Sequence, residues 1–283
     1  MKLRHLWIIL TVVGVLAGAG ESAALAGSKD LPKVKTKKVS YGKKNMILCF
    51  PPEEREPEFK DKPFILFIHG GAWTPGGGSR DTFMPHCKYV AGLGYAAATM
   101  SYRLAPVHPY PAAPNDVKQA IQWLHDHVGE HSTDKVKLNA ETVLLVGHSA
   151  GGHLALLVGL QEKDLPVAGI VSLSGPTDLT KSGSCKPCPV DRRMFLGTHK
   201  AEVASPITYV RADAPPIRLV HGDSDAVVNT EQSLDLAAAL EELGATVQLE
   251  IIEGGGHWAA VKSEKTPDVV DEVMDYILEY ADR

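Results

Sequence analysis

The chain has 283 residues, 44% of them apolar and 6% aromatic, and a formal net charge of −5 at pH 7. That length is long for one domain by a simple rule and usual for a large α/β fold. The mildly acidic balance excludes a nucleic-acid partner, whose phosphates demand a basic face, and so few aromatic residues exclude a wide sugar-stacking surface.

The first residues read as an address label. Lys2 and Arg4 precede an apolar run from Leu6 to Leu16, and Ala24-Leu25-Ala26 forms an Ala-x-Ala cleavage pattern before Gly27. Residues 1–26 are therefore expected to be a cleavable signal peptide, and residues 27–283 one mature domain. The apolar core is too short for a comfortable membrane span, and no cysteine stands near the cleavage point to carry a lipid. A secreted or periplasmic protein without a stable membrane anchor is expected, with a net charge of −6 once Lys2, Arg4 and Glu21 are gone.

Residues 33–50 read as a hairpin turning at Gly42, with the lysines of Lys33–Lys38 on a solvated strand face. Phe64-Ile65-Leu66-Phe67-Ile68 is a buried strand leading into His69-Gly70-Gly71-Ala72-Trp73. Backbone N–H groups can approach a developing oxyanion only where side chains are small. Gly70, Gly71 and Ala72 meet that condition, and His69 reads as a brace for the loop. A helix is expected near 82–92, a strand near 96–101 and a helix near 114–128. Asp116, in Pro109-Tyr110-Pro111-Ala112-Ala113-Pro114-Asn115-Asp116, reads as helix-start and loop-bracing chemistry. His127 and His131, four apart with His125 nearby, read as a solvated helix face, not as metal ligands.

A strand near 142–147 then runs into Gly147-His148-Ser149-Ala150-Gly151, and a helix follows near 151–160. Strand, sharp turn and helix with a serine at the apex is the context that gives a G-x-S-x-G pattern meaning. Glycines two residues either side let the backbone bend, and the helix start directs N–H groups, Ala150 included, at negative charge developing on the serine's target.

After a strand near 168–173 comes a polar stretch with Gly and Pro, residues 174–206, expected as a partial lid. It contains Cys185-Lys186-Pro187-Cys188. In an exported protein these thiols are expected to be oxidised, to each other or to another cysteine of the chain, holding the loop. A zinc site would need a second pair at suitable spacing, and none exists. Cys49 and Cys87 are left either as a second bridge or as two free buried thiols.

The strand near 217–221 ends in His221-Gly222-Asp223-Ser224-Asp225, a helix follows near 231–243, and the strand near 247–252 ends in Glu253-Gly254-Gly255-Gly256-His257-Trp258. A last helix is expected near 267–280. A nucleophilic serine needs a base, and the base an orienting carboxylate. Ser149, Asp225 and His257 supply them, with Asp223 the alternative acid two residues away. The glycines before His257 read as a flexible loop that swings the imidazole toward Ser149. Trp73, His148 and Trp258 are candidate walls of a substrate pocket. Alternating strands and helices imply a doubly wound, mostly parallel sheet. The candidate residues all fall at or beyond strand C-termini, where such sheets build their sites.

The ordered set His69-Gly70-Gly71-Ala72-Trp73, Ser101-Tyr102-Arg103-Leu104-Ala105-Pro106, Gly147-His148-Ser149-Ala150-Gly151-Gly152, His221-Gly222-Asp223-Ser224-Asp225 and Gly256-His257 resembles the α/β-hydrolases. Within that fold it is similar to the esterases related to hormone-sensitive lipase and to the bacterial feruloyl and acetyl-xylan esterase-like (BD-FAE-like) group, over roughly residues 33 to 281. The resemblance implies a secreted serine carboxylesterase with a small or absent cap, acting through an acyl-enzyme on short-chain acyl or aryl esters. Catalytic roles would fall to Ser149, Asp225 and His257, and an oxyanion hole to Gly70, Gly71, Ala72 and Ala150. No cofactor or metal is implied, and the partner would be a small-molecule ester or an acylated polysaccharide. Ala72 stands where the lipase relatives usually have a third glycine and His148 where they have aspartate, which moves the chain toward feruloyl-esterase-like and kynurenine-formamidase-like branches. An aryl-formamidase or peptidase on the same fold is the alternative within enzymes. A catalytically silent binding protein is the alternative outside them, and intact Ser149, Asp225 and His257 argue against it.

Overall fold

The computed structural model describes residues 33–55, 62–181, 189–259 and 261. The expected signal peptide, the Cys185–Cys188 pair and the expected helix at 267–280 lie outside them.

Strands β1 (Lys35–Tyr41), β2 (Lys44–Phe50), β3 (Phe64–Ile68), β4 (Ala97–Met100), β5 (Val143–His148), β6 (Val167–Leu173), β7 (Ile217–Gly222) and β8 (Val247–Ile252) form one sheet in the order β1-β2-β4-β3-β5-β6-β7-β8. The β1–β2 hairpin pairs antiparallel with itself and with β4. Every pairing from β4 to β8 is parallel. Helices α1 (Met84–Gly92), α2 (Ala112–His127), α3 (Ala150–Gln161), α4 (Pro189–Leu196) and α5 (Glu231–Glu242) connect them. This is the α/β-hydrolase architecture.

The strands read as apolar runs because both of their faces are covered. Alternate β3 side chains go to opposite sides: Phe64, Leu66 and Ile68 join the core with α2, α3 and α5, whereas Ile65 and Phe67 pack with α1 residues Cys87, Val90 and Ala91. Strand β5 divides the same way, Val143 and Leu145 against Leu144 and Val146. Helix α3 is buried from Ala150 to Leu160, so it has no solvated stripe and behaves as a core helix. Helices α1 and α5 both stop at a glycine with left-handed φ, Gly94 (112°) and Gly244 (74°), and the next amides, Tyr95 and Ala245, return to Val90 O and Leu240 O. That is the glycine-terminated helix end that occupies otherwise unpaired carbonyls.

The fold specifies two segments that the sequence leaves open. The described part of the 174–206 stretch, expected as a partial lid, contains α4 and a 3-10 turn at Ala201–Ala204. The open choice for Cys49 and Cys87 resolves as a disulfide, with a Cα–Cα distance of 6.1 Å, joining β2 to α1 inside the second core.

Candidate active site

Four strand ends meet at one edge of the sheet. β5 delivers Ser149, β3 delivers the His69–Trp73 loop, and the loops after β7 and β8 deliver Asp225 and His257.

The turn at Ser149 works only with its glycines. A Cβ on Gly147 would stand 2.2 Å from Gly151 O, and one on Gly151 2.0 Å from Ile68 O. Ser149 itself takes φ 53°, ψ −120°, a conformation that costs a side-chain-bearing residue on the order of 1–3 kcal/mol. Its amide donates to Leu173 O at 2.8 Å, tying the turn to the end of β6. The hydroxyl is thereby lifted above the sheet, 2.9 Å from His257 Nε2.

His257 Nδ1 lies 2.8 Å from Asp225 Oδ2. The other oxygen, Oδ1, accepts from the amides of Val227 at 2.7 Å and Val228 at 2.9 Å. Burial alone would raise the Asp225 carboxyl. Hydrogen bonds from His221 and His257 reverse this and hold it well below the usual carboxylate range. Asp223 points elsewhere: it is exposed and accepts from Gly254 N at 2.8 Å and Ser224 Oγ at 3.0 Å. The structure thus brings Ser149, His257 and Asp225 into one hydrogen-bonded line and leaves Asp223 outside it.

The glycine loop before His257 is fastened, contrary to the flexible swing expected from its sequence. Gly255 O accepts from Ser224 N at 2.9 Å, and a Cβ on Gly222 would meet that oxygen at 2.1 Å. Gly222 is the glycine that permits this close approach between the β7 and β8 loops, whereas an added Cβ on Gly254 or Gly256 would meet nothing within 4 Å.

The His69–Trp73 loop is pinned through its carbonyls. Tyr102 Oη donates to His69 O, His69 Nδ1 to Gly70 O, Thr74 N to Gly71 O and Ala105 N to Trp73 O. Among the described residues the amides of Gly71 and Ala72 have no protein acceptor. Gly70 packs against the elbow, where an added Cβ would stand 3.1 Å from Ser149 Cβ. Gly77 and Gly78 lie against Gly71 and Gly70 so closely that any side chain there would collide with backbone. This second glycine run, Gly76-Gly77-Gly78, went unassigned in the sequence, although three consecutive glycines just after an oxyanion-type loop were the available signal. His69 is buried, stacks on Tyr102 at 4.3 Å, and is pushed down to about 4 by burial, so it stays a neutral brace.

The three expected pocket walls separate. Trp258 is 39% exposed. Trp73 is interior: it stacks on Phe195 of α4 at 4.6 Å and donates from Nε1 to His153 Nδ1 at 3.2 Å. His153 in turn donates to Ala204 O at 2.7 Å, so the oxyanion-type loop, α3 and the 201–204 turn are clamped together. His148 has no exposed surface, and donates from Nε2 to His257 O. Both face inward because each carries a ring N–H that finds its acceptor there.

Arg103 donates to Asp116 from its backbone N at 2.7 Å and pairs with it through the guanidinium at 2.7 Å. Asp116 thereby braces the Ser101–Pro106 loop from within α2, one turn past the helix start. Among the described residues, no group of three or more His, Cys, Asp or Glu could hold a metal ion.

The BD-FAE family model matches residues 50–240, about two thirds of the chain. Esterase LipQ of Mycobacterium tuberculosis is 27% identical over 91% of this chain and 68% of its own length. The probable carboxylesterase 5 of Arabidopsis thaliana is 34% identical over 76% and 77%. Of the probable carboxylic ester hydrolase LipM of M. tuberculosis, 30% identical, the chain spans 45%. Among solved structures, EstE5 soaked with p-nitrophenyl butyrate superposes with a TM-score of 0.71 at 25% identity, covering 90% of this chain and 89% of that one. The chain belongs to the BD-FAE family and is a carboxylic ester hydrolase built on the α/β-hydrolase fold.

Proposed function

We propose that this protein is an exported serine carboxylesterase that hydrolyses short-chain acyl or aryl esters of small molecules through an acyl-enzyme. The observation that carries the reading is the unbroken hydrogen-bonded line from Ser149 Oγ through His257 to Asp225. In it His257 takes the Ser149 proton as Oγ attacks the ester carbonyl, then gives it to the departing alcohol. Asp225 fixes the His257 tautomer by accepting from Nδ1, so that Nε2 is the basic nitrogen facing Ser149. The amides of Gly71, Ala72 and Ala150, beside Gly70, receive the oxyanion, each donor worth roughly 3 kcal/mol in rate. Water then attacks the acyl group with His257 again as base.

Two observations support the finer points. Export is supported by the leader-like residues 1–26 and by the Cys49–Cys87 disulfide, a bond that persists in oxidising compartments. Short acyl groups are supported by the packing of residues 189–209 onto the oxyanion-type loop through Phe195 and Trp73, with no segment among the described residues long enough to build a large cap.

Turnover of p-nitrophenyl esters from acetate to decanoate, with feruloyl esters, acetylated xylan and N-formyl-kynurenine alongside, tests the reading. Highest kcat/KM at two to four acyl carbons is expected. A steady rise toward ten carbons would overturn the short-chain assignment, and undiminished turnover by Ser149→Ala would overturn the mechanism.

A further inference from the structure

Asp225 has a second imidazole on it. His221 Nε2 lies 3.2 Å from Asp225 Oδ2, the same oxygen that takes His257 Nδ1 at 2.8 Å. His221 Nε2 is also 3.1 Å from Val228 O, and His221 Nδ1 is 2.7 Å from Ser233 Oγ. The side chains of His221 and Asp225 have no exposed surface, and Ser233 is buried.

These contacts fix the proton. A carboxylate and a carbonyl can only accept, so the nitrogen facing both, Nε2, carries the hydrogen. In the neutral ring Nδ1 is then a lone pair, and the Ser233 hydroxyl on α5 donates to it. The opposite tautomer would aim a lone pair at a buried carboxylate. Counting the amides of Val227 and Val228 on Oδ1, the carboxylate is held by four donors and cannot rotate about its Cβ–Cγ bond without breaking all of them. The line from Ser149 therefore continues past the carboxylate: Ser149, His257, Asp225, His221, Ser233.

We infer that His221 is a positioning residue for ester hydrolysis, with Ser233 setting its tautomer, and that it acts by fixing the plane and charge of the Asp225 carboxylate toward His257. The inference rests on the proposed role of Asp225. It assigns chemistry to the histidine of His221-Gly222-Asp223-Ser224-Asp225 that neither the nucleophile, the base nor the acid accounts for. A group held to about half an ångström by buried partners is what preorganised catalysis requires, and a misplacement of about 1 Å can cost on the order of 10²-fold in rate.

The test uses the full chain with His221→Leu, His221→Gln and Ser233→Ala. The readouts are kcat and KM on p-nitrophenyl butyrate from pH 4.5 to 9, per active site titrated with a phosphonate, and Tm. The groups bearing on His257 are Asp225 and His148 as titratable partners and Ser149 as its hydrogen-bonded alcohol. With His221→Leu one of the two donors on Oδ2 is gone, and His257 takes a larger share of the carboxylate charge. Per-site kcat should drop on the order of 10- to 100-fold with KM within about twofold, and the acid limb of kcat/KM should move to higher pH. His221→Gln, whose amide nitrogen reaches the Nε2 position, should recover most of both. Ser233→Ala should move both in the same direction by less. An unchanged acid limb and unchanged per-site kcat in His221→Leu would overturn the inference. Should that variant fail to fold, Ser233→Ala with wild-type kcat and limb would do so. Turnover by Ser149→Ala would instead sink the proposed function, so the two failures are distinguishable.

Discussion

His148 hydrogen-bonds from Nε2 to the carbonyl oxygen of His257 at 2.8 Å, and its ring lies 4.8 Å from the His257 ring and 4.3 Å from Trp258. The residue preceding the nucleophile therefore holds the backbone of the residue proposed as its base, across 109 positions of sequence. Burial, with the neighbouring His257 adding to it, pushes the His148 imidazole down to about 3, so it stays neutral in working conditions. His148→Leu leaves a buried carbonyl unpaired, which costs about 1–3 kcal/mol, and should lower kcat roughly tenfold with little change in KM. His148→Gln should retain more of both. Equal kcat in His148→Leu and wild type would show that the His257 loop holds its position without this bond.

The two aspartates should separate cleanly. Ser149→Ala is expected to lose on the order of 10⁴-fold or more in turnover, and Asp225→Asn on the order of 10⁴-fold, through the wrong histidine tautomer. Among the described residues the Asp223 carboxylate accepts from Gly254 N and Ser224 Oγ and not from His257, so Asp223→Asn should change kcat by no more than about threefold. Steady-state kinetics on the purified variants decides it, and a reversed order would make Asp223 the acid.

Acid should destabilise the protein well above the carboxylate range. His69, His148 and His153 are held neutral by burial, at about 4, 3 and 4. In the unfolded chain each titrates near 6.5. Between pH 6.5 and about 4 the unfolded state binds protons that the native state refuses. Stability is full above 6.5 and falls as pH drops, by up to about 1.4 kcal/mol per pH unit per histidine. Urea denaturation at pH 7 and pH 5 should give a lower midpoint at pH 5 with an unchanged m-value. Equal midpoints would contradict the buried neutral state.

The Cys49–Cys87 bond closes a loop across 38 positions, which the chain-entropy account values at about 4 kcal/mol. It lies in the α1-side core and makes no hydrogen bond or ion pair with Ser149, His257 or Asp225. Cys49→Ala with Cys87→Ala should lower Tm markedly and leave per-site kcat at 25 °C within about twofold. A melting temperature unchanged in the double variant would show that the unfolded chain gains nothing from release of the loop.

The fold was legible in the sequence because parallel strands covered on both faces read as unbroken apolar runs, as in Phe64–Ile68 and Val143–Val146. The site residues were legible because a tight turn demands glycine at fixed offsets, and Gly147 and Gly151 sit there. What was hidden depends on contacts between distant segments. No local pattern joins His221 to Ser233, Trp73 to His153, or Gly77 to Gly71. A run of glycines says nothing of the partners its backbone will find, which is why the Gly254–Gly256 loop looked mobile although Gly255 O is held by Ser224 N. Helix α4 escaped notice because its eight residues, Pro189–Leu196, make little more than two turns, too short a run to show a period.

Among the described residues four other than glycine, Ala72, Trp73, Ser149 and Ser174, hold left-handed φ angles between 51° and 61°, and three of them lie in the oxyanion-type loop or at the elbow. Such backbones each cost on the order of 1–3 kcal/mol. Glycine relieves that cost at any of these positions, at Ala72 without touching the amide and at Ser149 by deleting the proposed nucleophile. Heat resistance and turnover therefore pull in opposite directions at this end of the sheet. A laboratory lineage screened for survival on heating alone would drift toward glycine at 149, yielding a protein that melts later and hydrolyses nothing.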